Sequence, residues 1–335
     1  MEAFDLSVVW AIIVAFAIIM YVLMDGFILG MGVLFPFAPD EEARDTMMNT
    51  GAPIWDGNET WLVLAGTSLL GAFPLVYSIL LPALYIGVFL MLAGLIFRGI
   101  SFEFRFKAKS KRSRRRWNVA FAGGSMLVAF AQGAVVGAYI QGFKTQDKVF
   151  TGGAFDWLTP FSVMTGLGMM AGFALLGATW TILKTEGHVQ EWAYGMASKL
   201  LWIVIGVFAL VSLWTPFIDQ SVAERWFGNI RVIWILPALA MASAAALFFS
   251  LKRGRGKLPF FATMSMFIFT YLGLLVSRWP YVVPPDYTLW DAASAPNSQM
   301  FLLVGTAIVI PVILGYTGWA YWVFRGKVRP GEGYH

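Results

Sequence analysis

The sequence has no cysteine and only two histidines. The missing thiols exclude disulfides, thiolate metal sites and cysteine nucleophiles. The histidines are His188, in the polar stretch "KTEGHVQEW", and His335, the last residue. Neither falls within an apolar run, so the commonest haem ligand is missing at membrane depth. Sixteen methionines remain; in apolar runs they read as packing. No P-loop, G-x-G-x-x-G or metal-ligand spacing is present. Charge is scarce as well, at 13% of residues against about 25% in a soluble domain. With 59% hydrophobic residues and a mean hydropathy of +0.70, the chain reads as an all-α, polytopic membrane protein. The opening "MEAFDLSVV" is acidic and lacks the basic stretch of a signal peptide. The first apolar segment is also too long for one, so it reads as a retained span.

A span needs about 20 apolar residues. Apolar runs between charged or turn-rich breaks predict nine transmembrane helices in a bundle, at 7–37, 50–72, 76–104, 117–141, 160–183, 198–216, 231–250, 258–279 and 299–324. Phe73-Pro74 breaks the second from the third, because proline lacks a backbone donor and clashes with the preceding turn. Thr159-Pro160 reads as an N-cap followed by a first-turn proline. No repeat of about 20–50 residues and no linker is visible, so residues 1–335 form a single integral membrane domain.

Basic residues set the orientation. Nine spans place eighteen of the 24 Lys and Arg on one side, including the runs "RFKAKSKRSRRR" and "KRGRGK", and five on the other. Arg98 lies within a span. The basic side is expected to be cytoplasmic, with the N-terminus outside and the C-terminus inside. The basic runs read as this orientation signal and as attraction to anionic lipid, rather than as a nucleic-acid surface.

Ionisable groups at membrane depth cost about 2.5–3.5 kcal/mol each on insertion scales, and they mark bundle interiors or pathways. Four acids qualify: Asp25, Asp56, Glu59 and Glu103. Asp25, in "MDGFILGMG", falls in the cytoplasmic half of the first span. Asp56 and Glu59, in "APIWDGNETWLVLAG", fall in the first turns of the second span and share a helix face. Two readings stand side by side. Asp56 and Glu59 are favoured near a helix N-terminus by its dipole, and Asp25 can cap a kink beside Gly26. Alternatively, the three acids hold and release protons taken from the cytoplasm. Arg98, in "LIFRGISFEFRFK", either snorkels or pairs with an acid of the first two spans. With Glu103 it also offers a site for a lipid or quinone head group.

"MDGFILGMGVLFPF", "MMNTGAPIWDGNETWLVLAG", "LIFRGISFEFRFK" and "GGAFDWLTPFS" resemble subunit II of cytochrome bd-type quinol oxidases, most nearly the cyanide-insensitive branch. The resemblance is dense to about residue 190; beyond that it is mainly hydropathy and span count. It implies a nine-helix subunit packed against a haem-bearing subunit I, in a bacterial inner-membrane complex that oxidises quinol and reduces oxygen to water. Haems b and d would belong to subunit I, with none ligated by this chain. A structural quinone, a small accessory subunit, quinol and lipids are the further partners it suggests. In the family the acid of W-D-G-N, here Asp56, is implicated in a proton path towards subunit I, with Asp25 as its neighbour. The family's D-G-F-D reads D-G-F-I here, so Ile28 replaces an acid. The competing function is a secondary transporter or channel with intramembrane carboxylates; a third is a pure assembly scaffold.

Overall fold

The computed structural model describes residues 5–228, 231–254 and 256–328. His335 lies outside the described residues. The chain opens with α1 (Leu6–Leu34), capped by Asp5, whose carboxylate accepts from the backbone of Ser7 and Val8. A 3-10 turn, Phe35–Phe37, ends it. A short helix, α2 (Glu41–Gly51), follows, with Asp40 as N-cap and two acids in its first turn. Then come α3 (Trp55–Ala72) and α4 (Pro74–Phe106), separated only by Phe73, as Pro74 requires. Next are α5 (Lys111–Gln141), the strands β1 (Thr145–Gln146) and β2 (Val149–Phe150), and α6 (Pro160–Lys184). Thr159 and Ser162 form a capping box at the start of α6. The remainder is α7 (Gly187–Ile218), α8 (Gln220–Phe227), a 3-10 turn (Arg231–Trp234), α9 (Ile235–Lys252) and α10 (Leu258–Arg278). Strands β3 (Tyr281–Val283) and β4 (Tyr287–Thr288), α11 (Leu289–Ala292) and α12 (Pro296–Val323) complete it. Both strand pairs are antiparallel two-stranded ribbons.

Each expected span corresponds to a helix, with displaced ends. α7 begins eleven residues before the expected 198, because its first turns are polar yet helical. α5 begins at Lys111, so most of the basic run is helix rather than loop. Among the described residues, eight helices are long and apolar enough to cross a membrane; α3 is not one of them. Its first turns carry Asp56, Asn58 and Glu59, which lower its hydropathy. At 18 residues it is still about 27 Å long. It runs the length of the bundle beside α12. Its first turn meets Tyr321, and its last residue, Ala72, accepts a bond from the Ser294 backbone at the other end of α12.

The bundle has two distinct ends. At one, His188 lies 3.3 Å from Asp40, and the segment after α12 is tied to the α6–α7 turn through Lys184, Thr185 and Val328. At the other, the two ribbons meet: Phe143 donates to the Pro284 carbonyl and the Lys148 backbone to the Tyr287 hydroxyl. Asp5 accepts from Trp290 there. α1 is the central helix, packed on α3, α5 and α6. Its approach to α6 is backbone to backbone: a methyl group on Gly30 would stand 1.7 Å from the Phe173 carbonyl oxygen, and one on Gly177 would meet Gly30 at 2.4 Å. Only glycine permits that separation. The apolar core around Phe27, Phe121, Phe173 and Trp180 fills the space between these helices and holds α1, α3 and α4 in fixed register.

Candidate functional site

That register brings Asp25 on α1, Glu59 on α3 and Arg98 on α4 to one point. Arg98 and Asp25 have fully buried side chains, and Glu59 is 28% exposed. One guanidinium nitrogen, Nη2, makes every contact. It donates to both Asp25 oxygens at 2.9 and 2.8 Å and to Glu59 Oε1 at 2.7 Å. The other two nitrogens, Nε and Nη1, are buried and make no hydrogen bond among the described residues. The guanidinium carbon lies 5.5 Å from the Trp55 ring centre, and Trp55 stacks on Phe102 at 5.4 Å. The site therefore has one positive charge and two carboxylates. Charges in a poorly polarisable interior interact strongly, so full ionisation leaves one negative charge without a counter-ion. A single proton added to the cluster neutralises it.

Asn58, on α3, links that helix to α1 and to α12. Its Nδ2 donates to the Met24 carbonyl at 2.8 Å, and its Oδ1 accepts from the Tyr321 hydroxyl at 2.9 Å. Gln132 on α5 donates to Tyr21, one turn before Asp25, at 2.7 Å.

The other expected site residues lie elsewhere. Asp56 is exposed, one turn before Glu59, with no side-chain hydrogen bond or ion pair among the described residues. Asp56 and Glu59 interact only through space. Glu103 is not part of the buried cluster. It lies on the exposed side of α4 and pairs with Lys107 at 3.4 Å. Arg98 presents no exposed surface, and its bonding nitrogen is taken by carboxylates. Ile28 is fully buried, with Cδ1 beside Gly51, so the place of the family's second acid is apolar here. His188 is half exposed. Among the described residues no group of three or more His, Cys, Asp or Glu is placed to hold a metal ion.

Sequence reasoning missed a second ionic cluster. Arg105, the first base of the long basic run, is buried on α4. It reaches Asp45 at 2.5 Å and Glu41 at 3.2 Å on α2, and Asn118 on α5 at 2.6 Å. Arg114 also pairs with Asp45. The signal was available: Glu41 and Asp45 are four residues apart behind an N-cap, the pattern of one charged helix face. Tyr321 was also missed, since a tyrosine near the end of a span ordinarily reads as an interface anchor.

The sequence profile of the family described as "Cytochrome bd terminal oxidase subunit II" matches residues 6–324. The chain belongs to the cytochrome bd terminal oxidase subunit II family. Cytochrome bd-I ubiquinol oxidase subunit 2 of Escherichia coli (strain K12) is 28% identical over 360 residues, covering 96% of this chain and 95% of the relative. Cytochrome bd ubiquinol oxidase subunit 2 of Bacillus subtilis (strain 168) is 26% identical over 332 residues, covering 96% and 97%. The structure of bd oxidase from Geobacillus thermodenitrificans contains a chain of the same fold, with a TM-score of 0.78, 15% identity, and coverage of 96% of this chain and 99% of that one. As a bd terminal oxidase subunit II, the protein is a multi-pass membrane subunit of an oxidoreductase complex. Family membership does not favour the transporter or channel reading.

Proposed function

We propose that the chain is the haem-free subunit II of a bacterial inner-membrane quinol:oxygen oxidoreductase. It crosses the membrane nine times, with the N-terminus outside and the C-terminus cytoplasmic. It packs against a subunit I that carries haems b and d, and it helps deliver cytoplasmic protons for oxygen reduction. A structural quinone, bound lipids and a small accessory subunit are compatible with this reading. The relatives named above are ubiquinol oxidase subunits, and the proposal extends quinol as the reductant to this complex.

The observation that carries the proton role is one guanidinium shared by two carboxylates, with a third carboxylate one turn nearer the surface. Asp56 takes up the proton at the start of α3. Glu59, partly exposed and next on the same face, receives it and holds it beside Arg98, which stays a fixed cation throughout. Asp25, fully buried and held by two bonds, stays as the fixed counter-charge of Arg98. Transfer onward requires a partner subunit, because oxygen binding is assigned to subunit I.

Oxygen-uptake assays on the purified complex test this reading. Asp56→Asn and Glu59→Gln are nearly isosteric and cannot carry the proton. Each is expected to slow turnover at unchanged haem content per complex. Wild-type turnover in both would overturn the proton role. Loss of haem-loaded complex would assign the carboxylates to assembly instead.

A further inference from the structure

α12 is the most peripheral of the long helices; only Gln299 and Thr317 among its residues are buried. Yet it reaches the charged cluster through one side chain. Tyr321 is held edge-on against Phe27 and Trp180, at ring-centre distances of 6.4 and 6.2 Å, and its hydroxyl donates to Asn58 Oδ1. Asn58 is 1% exposed and passes the constraint on, donating to the Met24 carbonyl. The sequence neighbours of these two bonded groups are the carboxylates of the site. Met24 precedes Asp25, and Asn58 precedes Glu59. The bond from Asn58 to Met24 therefore fixes the register in which α1 and α3 present their acids to Arg98. An amide can face either way, and its partners decide which. The Met24 carbonyl can only accept and so takes Nδ2, which leaves Oδ1 facing α12, where the Tyr321 hydroxyl donates to it and holds the amide in place.

We infer that Tyr321 is a positioning residue for proton transfer: through Asn58 it sets the distance between Glu59 and the Arg98–Asp25 pair. A second feature locates the weak point. Between the start of α3 and the end of α12 lies a crevice of 10 Å³ lined by Gly57, Asn58, Tyr316 and Tyr321, enough for about one water. Without the Tyr321 hydroxyl, Asn58 Oδ1 loses that fixed donor; a water in the crevice replaces it with a mobile one, and the amide is held less firmly on Met24. α12 also stands close to α3 here, since a methyl group on Gly57 would come within 3.2 Å of the Tyr316 ring.

The inference rests on the proposed proton role of Glu59, and the experiment separates the two. Tyr321→Phe removes the hydroxyl and keeps the ring packing. Asn58→Leu removes the amide, keeps its volume and leaves Tyr321 in place, and it serves if Tyr321→Phe lowers assembly. Each is made alone and with Glu59→Gln. Turnover per haem and its solvent-deuterium isotope effect are measured on the intact purified complex. In the wild-type background, Tyr321→Phe is expected to slow turnover about fivefold, the worth of one typical hydrogen bond, and to raise the isotope effect. In the Glu59→Gln background it is expected to add nothing, because the group it positions no longer carries a proton. An equal slowing in both backgrounds would make Tyr321 a merely structural residue and overturn the inference. An unchanged rate for Tyr321→Phe and Asn58→Leu, with Glu59→Gln slow, would overturn the inference and leave the proton role standing. An unchanged rate for Glu59→Gln would remove the proton role itself and the inference with it.

Discussion

Replacing Arg98 with methionine keeps most of the volume and removes the only cation of the buried cluster. Asp25 is then a carboxylate with no exposed surface and no cationic partner. Breaking a buried pair in this way costs about 3–5 kcal/mol. That is roughly a 150- to 4000-fold shift in the ratio of folded to unfolded protein, against a total stability of about 5–15 kcal/mol for a typical domain. Arg98→Met is therefore expected to lower the yield of haem-loaded complex severely, read from a reduced-minus-oxidised spectrum of solubilised membranes. Two companion variants fix the cause. Arg98→Met with Asp25→Asn removes both buried charges and is expected to recover most of the yield, because the cost comes from the orphaned charge rather than from the lost bond. Arg98→Lys is expected to be much milder than Arg98→Met. Arginine normally outperforms lysine through its planar fork, but here Nη2 alone makes all three contacts. One ammonium with three donors can supply the same pattern. Wild-type yield for Arg98→Met would refute the argument outright. A lysine variant as poor as the methionine one would refute the account of how the charge is used.

Three further outcomes follow from the fold. Gly30→Ala drives a methyl group into the Phe173 carbonyl; as backbone cannot yield like a side chain, it is expected to destabilise the α1–α6 contact by more than the about 1–3 kcal/mol of ordinary overpacking, visible as a lower Tm in detergent. Cysteines at Ser110 and Asn297, both exposed, report orientation in whole cells: an impermeant thiol reagent should label Asn297→Cys and not Ser110→Cys, and the reverse would invert the topology. Asp219, at the end of α7, is pushed up by burial, but hydrogen bonds from Ser221 and Arg278 outweigh this and hold it below its ordinary value of 3.8. A depressed carboxylate contributes stability that is present above 3.8 and lost as pH falls through the lower folded value. The Tm difference between wild type and Asp219→Asn should therefore hold steady above pH 4 and shrink below it; a difference that is constant into stronger acid would show that the Asp219 charge contributes nothing.

The membrane architecture was legible because burial in lipid demands long apolar helices, and such runs need no tertiary information to find. Their ends were not, since polar residues at the start of α7 and the basic face of α5 continue a helix that hydropathy alone stops. α2 was hidden for the same reason: eleven residues of "EEARDTMMNTG" resemble a loop in composition, although Asp40 caps them as a helix. At the site, the residue types pointed to the chemistry, because an arginine inside a span needs a counter-charge. Pairing with acids of the first two spans was readable as one alternative; which of the three acids meets Arg98 was not, since it lies 73 residues from Asp25 and 39 from Glu59, and only packing decides. Glu103, five residues away in sequence, was equally plausible by chemistry and points outward. Ile28 illustrates the opposite case. Its place in the motif suggested a missing carrier, but its burial against Gly51 means that an acid there would be enclosed by apolar groups, a costly position without a partner.

The most direct test of the central claim is proton uptake by the purified complex in proteoliposomes, followed with a pH indicator at the face carrying Ser110 while quinol is oxidised. The Asp56→Asn/Glu59→Gln double variant, at wild-type haem content, should show slowed uptake and slowed oxygen consumption in the same proportion. Uptake and oxygen consumption both at the wild-type rate would contradict the account, because the protons would then be reaching oxygen without these carboxylates.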